Sequence, residues 1–139
     1  MRILFAFVLL VLASTRALAG PLELVLPHLK TFPECEEEKV LASIVEEFNW
    51  AERKTWQRGF TMDGIVQPYE TSTFPEGRRQ IPRRYCRALG VLSDGRECKV
   101  YYMVEGGQGF AGTSFNVAWC IVTADPWREY GSGCRVLRY

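Results

Sequence analysis

Residues 85–105 read YCRALGVLSDGRECKVYYMVE, two runs rich in β-branched and aromatic residues on either side of Ser93-Asp94-Gly95-Arg96. Asp-Gly between such runs is a strong hairpin signal, because the tight turn needs residues that tolerate positive φ. A lone hairpin is barely stable in water and must gain further strands or a packing layer, so this stretch commits the chain to a sheet-containing architecture. With Asp94 and Gly95 as the centre of a two-residue loop, Tyr85, Arg87, Leu89 and Val91 share a face with Cys98, Val100, Tyr102 and Val104. Cys86 and Cys98 then point to opposite faces and cannot bridge.

The second layer is expected upstream. From about residue 33 to 57 the pattern is helical, with Thr31 before it, Pro33 in the first turn and Gly59 just past its end. Glu34, Glu36, Glu37 and Glu38 complement the helix dipole at that end. At about 100° per residue, Val40, Leu41, Ile44, Val45, Phe48, Ala51 and Trp56 fall on one apolar arc. Downstream, strands are expected over about 59–69, 116–123 and 134–139, with a loop over 71–82 where Pro75, Gly77 and Pro82 cluster. The expected fold class is α+β, one N-terminal amphipathic helix on a four- to five-stranded antiparallel meander.

The chain begins with Met1-Arg2, an unbroken apolar run from Ile3 to Ala13 and an A-x-A site at Ala17-Leu18-Ala19. That is the layout of a secretory signal peptide over residues 1–19, too short to span a bilayer, leaving one domain over 20–139. Removing Arg2 and Arg16 takes 17 basic side chains to 15 against 16 acidic ones, a formal charge of −1. Net charge therefore does not favour nucleic acid or a membrane surface as partner, and no second apolar stretch of spanning length follows.

Cys35, Cys86, Cys98, Cys120 and Cys134 all lie in the exported part, where oxidation is permitted. There is no C-x-x-C and one histidine, so no metal or cofactor is expected. Two disulfides and one spare thiol are expected, and any four cysteines allow three connectivities. A hairpin centred on Trp127 sets Cys120 opposite Cys134 and favours that bridge first; Cys35 and Cys86 could then tie the helix start to the sheet, leaving Cys98 free.

Residues 106–112, GGQGFAG, match G-x-G-x-x-G through Gly107, Gly109 and Gly112. A dinucleotide fingerprint needs a helix after its glycines, and here Val117 to Val122 is strand chemistry; a P-loop needs Lys where Thr113 stands. The stretch reads as a long hairpin connection with Gln108 and Phe110 at its tip.

Other candidates are fewer. Glu52 falls within the apolar arc, where a carboxylate must be paired or neutralised; it is either an acid/base group or half of an ion pair with a sheet residue such as Arg87. Arg78, Arg79, Arg83, Arg84 and Arg87 form a basic cluster suited to an anionic envelope polymer or to acids within the domain. His28 is the only imidazole available to a nucleophile. Trp56 and Trp119 read as core, Trp127 as a hairpin-tip residue, and Trp50, opposite the apolar arc, as an edge contact or exposed anchor.

The segments VLASIVEEFNWAERKTW with Cys35 ahead of it, PRRYCRALGVLSDGR, VYYMVEGGQGFAG, NVAWC and CRVLR together resemble a family of small exported proteins of unknown function from alphaproteobacteria, chiefly Rhizobiales. The resemblance covers most of residues 33–138. It implies a periplasmic or secreted protein with Cys35, Cys86, Cys120 and Cys134 as bridge formers, and it implies no activity; Cys98 departs from the pattern. At fold level, one helix before a meander looks like a cystatin-type or NTF2-like roll. The glycine-rich connection and the Pro126-Trp127 turn are similar to the loops cystatins insert into proteases, although the Q-x-V-x-G motif is absent. The reading is a non-enzymatic exported domain that binds a protein or envelope component through Gln108, Phe110 and Trp127, with the arginines as a second surface. The alternatives are a small envelope hydrolase using Glu52 and a hydrolase inhibitor.

Overall fold

A computed structural model describes residues 32–74 and 81–139; the expected signal peptide, residues 1–19, and His28, Arg78 and Arg79 lie outside the described residues. Helix α1 (Glu38–Ala51) packs on one face of an open four-stranded antiparallel meander of β1 (Met62–Phe74), β2 (Arg83–Leu92), β3 (Glu97–Gln108) and β4 (Ser114–Ile121), in the order β1-β2-β3-β4. The α+β expectation is met with four strands. No helix among the described residues is long and apolar enough to cross a membrane.

The helix starts later than its pattern suggests because the preceding residues have other work. Glu37, the N-cap, is extended (φ −60, ψ 128) and its Oε1 accepts the Glu34 N–H at 3.1 Å. Cys35 is held to β2 through Cys86, with Cα atoms 5.9 Å apart. Of the four acids only Glu38 lies in the first turn. Val40, Ile44 and Phe48 carry the apolar stripe into the core, against Cys86, Ala88, Val100, Tyr102, Val104 and Ile121. Beyond Ala51 the helix widens into a π turn (Glu52–Trp56), closed by Gln57 in the left-handed region with its N–H on Glu52 O at 2.8 Å.

The β2–β3 hairpin forms, but with a three-residue loop. Leu92 N–H donates to Arg96 O and Gly95 N–H to Leu92 O, both at 2.9 Å, and Gly95 alone supplies the positive φ, +81°. This is a type I turn followed by a glycine bulge. The pairing becomes Cys86 with Tyr102 and Gly90 with Cys98, one residue from the expected register. Cys86, Ala88 and Leu92 therefore face α1 together with Cys98 and Val100, while Tyr85 and Arg87 face away. The expected opposition of Cys86 and Cys98 is wrong; they share a face, and Cys98 stays a buried free thiol because Cys86 is bonded to Cys35.

The expected strand over 134–139 does not form. Gly131, Gly133 and Cys134 sit at φ 79, 64 and 60, so the segment coils into a short 3₁₀ helix (Ser132–Leu137) and no hairpin centres on Trp127. The Cys120–Cys134 bridge forms nonetheless, with Cα atoms 5.7 Å apart, because the coil is folded back over the sheet. Cys134 and Leu137 pack with Tyr101 and Cys120 on the face away from α1, and the Tyr139 ring lies 4.4 Å from that of Tyr85. The sheet is thus covered on both sides. Closing loops of these lengths stabilises by about 3 kcal/mol for Cys120–Cys134 and about 4 for Cys35–Cys86 in the chain-entropy account.

Strand β1 runs past its expected end at Tyr69 to Phe74. It has three register shifts, and Pro68 removes an N–H, which an edge strand tolerates.

Candidate functional site: an aromatic, acidic groove along β4

All four tryptophans of the chain line one groove of about 710 Å³ between the second half of α1, the π turn, β4 and the 125–130 segment. Trp50 projects from the helix side opposite the core and is 56% exposed; Trp127 is 67% exposed. Asp125 fixes the loop that carries Trp127, its Oδ1 accepting the N–H groups of Trp127 and Arg128 at 3.1 and 2.9 Å. The Trp127 ring meets Trp56 edge-on at 6.0 Å, and Trp56 and Trp119 each meet the buried Phe48 edge-on at 5.8 and 6.1 Å. The core therefore holds the inner two indoles, and the outer two form the rim.

The polar lining is acidic. Glu46, Glu47, Asp125 and Glu129 contribute carboxylates, and no lysine, arginine or histidine among the described residues lines the groove. Glu47 Oε2 accepts the indole N–H of Trp119 at 2.7 Å. Burial pushes the Tyr130 phenol above its usual pKa, and Glu129, Glu47, Glu105 and Asp125 raise it further, which places negative charge around one end of the groove. Indole faces ringed by carboxylates attract cations, and indoles also accept the methylene stems of long basic side chains.

The other predicted residues are dispersed. Phe110 is 97% exposed at the β3–β4 connection, and Gln108 folds back, its Nε2 donating to Gly106 O at 3.2 Å. Neither lines the groove that holds Trp127, so the expected loop-tip trio is not one site. The glycine stretch is a hairpin connection: Gly107, Gly109, Ala111 and Gly112 all take positive φ, and the three-residue turn Phe110–Gly112 leads directly into β4.

Arg83, Arg84 and Arg87 are occupied within the domain. Arg83 pairs with Glu105 at 2.9 Å. Arg84 takes the second of its two expected roles, answering acids within the domain, and is buried: its guanidinium donates to Pro33 O at 3.1 Å, pairs with Glu34 and Glu70, and lies 4.8 Å from the Phe32 ring. Arg87 stacks over Tyr69 at 4.6 Å.

Glu52 is 3% exposed, as its wheel position requires, but its partner is Arg58 instead of Arg87. Arg58 Nε donates to Glu52 Oε1 at 2.8 Å, and its two terminal nitrogens reach Ala124 O at 3.2 Å. The guanidinium also sits over Trp56 and Phe60 at 4.7 and 4.9 Å. The pair ties the end of the helix to the loop after β4, behind the groove wall.

Among the described residues no group of three or more His, Cys, Asp or Glu is placed to hold a metal ion. The sequence reading missed the groove because its walls come from residues far apart in the chain; the available signal was Trp50, an indole placed off the core face with Glu46 and Glu47 beside it. Fold and groove together define a small, disulfide-braced α+β domain with an acidic aromatic cleft. Compared with protein-family models, with curated proteins and with solved structures, the chain matches none.

Proposed function

We propose that this chain is an exported, non-enzymatic binding domain for a protein or cell-envelope component, and that its site is the tryptophan groove, with the Trp127 loop as one wall. The observation that carries the reading is the convergence of Trp50, Trp56, Trp119 and Trp127 with four carboxylates on one open groove. Large rigid aromatics offer contact area at low entropic cost, and exposed indoles flanking a concave surface are common anchors. Export is supported by the signal-like first 19 residues and by two disulfides, which persist in oxidising compartments. The hydrolase reading on Glu52 has less support, since Arg58 takes up its carboxylate.

The test is capture from envelope extract by the oxidised domain and by three variants. Trp50→Ala and Trp127→Ala are expected to lose the captured component while Phe110→Ala keeps it. Loss with Phe110→Ala and retention with both tryptophan variants would move the site to the β3–β4 connection and overturn the groove.

A further inference from the structure

Among the described residues, strand order leaves two free edges, β1 and β4. The β1 edge is broken by register shifts at Met62/Gly64, Val66/Tyr69 and Glu70/Ser72, and Pro68 lacks an N–H; such interruptions discourage pairing with another strand. The β4 pairing to β3 runs from Asn116 to Ile121 without a shift. Val122 N–H donates to Lys99 O at 3.1 Å, which sets the parity of the ladder. Asn116, Ala118 and Cys120 turn their backbone groups toward β3, and Val117, Trp119 and Ile121 turn theirs outward. Ile121 O is taken by the N–H groups of Ala124 and Asp125, both at 3.1 Å. Among the described residues no such turn closes Val117 or Trp119.

That open stretch lies in the groove. Val117, Ala118, Trp119 and Cys120 are four consecutive lining residues, and consecutive residues of a strand share a surface only along its edge, since their side chains alternate between faces. The groove is therefore a channel beside an unpaired strand, with Trp50, Glu46 and Glu47 on its helix side and Asp125, Trp127 and Glu129 on the other.

We propose that β4 accepts an extended segment of a partner polypeptide as a fifth strand, with lysine or arginine side chains of that segment lying against the tryptophans and paired with the groove carboxylates. This rests on the groove being the binding site. Main-chain bonds to Val117 and Trp119 supply the docking, and alternate side chains supply the selection. The charge complement argues against a second copy of this chain as the added strand, since edge-to-edge pairing of two β4 strands would bring two sets of the same four carboxylates together.

The oxidised domain is titrated, following tryptophan fluorescence, with capped peptides in which lysine alternates with valine, threonine or tyrosine. Matched peptides carry N-methyl groups on alternate amides, or glutamate for lysine. Saturable binding is expected for the lysine peptides, weakened at least about tenfold by N-methylation because ladder hydrogen bonds are lost, and absent for glutamate. On the protein side, Val117→Pro removes an N–H that faces away from β3 and is expected to weaken binding equally; N-methylation provides the same test if that variant fails to fold. Equal binding of the N-methylated peptides, or no binding of any lysine peptide, overturns strand addition, as does concentration-dependent dimerisation of the domain that Val117→Pro abolishes. In those cases the groove reading still stands if Trp50→Ala and Trp127→Ala lose capture from extract, and it falls with them if they do not.

Discussion

Trp119 Nε1 on β4 donates a 2.7 Å hydrogen bond to Oε2 of Glu47 on α1, linking residues 72 positions apart at the mouth of the groove. Trp119 stands on the helix-facing side of an edge strand, and Glu47 immediately precedes Phe48, the helix residue that its indole also meets. One contact therefore sets both the width of the groove and the position of one of its carboxylates.

Removing this bond weakens the junction of helix and edge strand modestly, because Glu47 is exposed. Trp119→Phe and Glu47→Ala are each expected to cost about 0.5–1.5 kcal/mol, a fall of roughly 2–9 °C in Tm for a domain of this size. The double variant should lose less than the sum by about 0.5–1 kcal/mol. Thermal melts of the four proteins measure the coupling. Strict additivity would mean that the bond contributes nothing and that the indole is held by packing on Phe48 alone.

Glu52 and Arg58 are expected to behave as a structural clamp. The Glu52 side chain is 2% exposed, whereas the Arg58 side chain is 29% exposed, so removal of the arginine is the more damaging change. Arg58→Met strands a buried charge and frees Ala124 O, at about 3 kcal/mol; Glu52→Gln keeps the shape and an acceptor, at about 2 kcal/mol. Denaturant unfolding of both variants reads the order. If Glu52→Gln is as stable as the parent, the clamp is not what holds the helix end.

How much of this was legible in the sequence depends on the range of the signal. The helix stripe through Val40, Ile44 and Phe48 and the turn at Asp94-Gly95 are local, and both were readable. The register was missed because Gly95 serves equally as the second residue of a two-residue loop or the third of a three-residue one; only the Leu92–Arg96 bonds distinguish them. Cys120–Cys134 was reached from a hairpin that does not exist: the bridge needs only that the coil returns over Cys120, which the positive φ of Gly131 and Gly133 permits. Arg58 was missed as the partner of Glu52 because the π turn changes the helical phase and Gln57 then reverses the chain, bringing back a residue only six positions on. The groove depends on which strand is left at the sheet edge, and no short window of sequence contains that.

Cys98 is expected to report global unfolding. It is 5% exposed, its thiol lies 3.4 Å from Gly90 O, and burial raises its pKa, so the reactive thiolate is scarce in the native state. With both bridges intact, alkylation should modify one thiol per chain, slowly at neutral pH and rapidly in denaturant. Mass spectrometry of timed samples measures this. Fast native labelling would place Cys98 in a region that opens locally, without unfolding of the domain.

Stability is expected to fall on the alkaline side, and Tyr102 supplies much of the slope. Its ring is fully buried and its hydroxyl donates to Cys35 O at 2.8 Å. Burial, aided by the Glu36 charge, pushes the phenol well above its ordinary pKa, and burial acts in the same direction on Tyr85, Tyr130 and Cys98. For each group the unfolded chain loses its proton first. The stabilisation is whole below the unfolded pKa, about 8.5 for a thiol and 10 for a phenol, and is lost progressively as pH rises toward the folded values. In a Cys98→Ala background, which removes thiol exchange with the disulfides, Tyr102→Phe should cost about 1 kcal/mol at neutral pH by leaving Cys35 O without its donor. It should also flatten the decline above about pH 10. Denaturant midpoints across a pH series separate the two effects, and an unchanged alkaline slope would assign the decline to Tyr85 and Tyr130 instead.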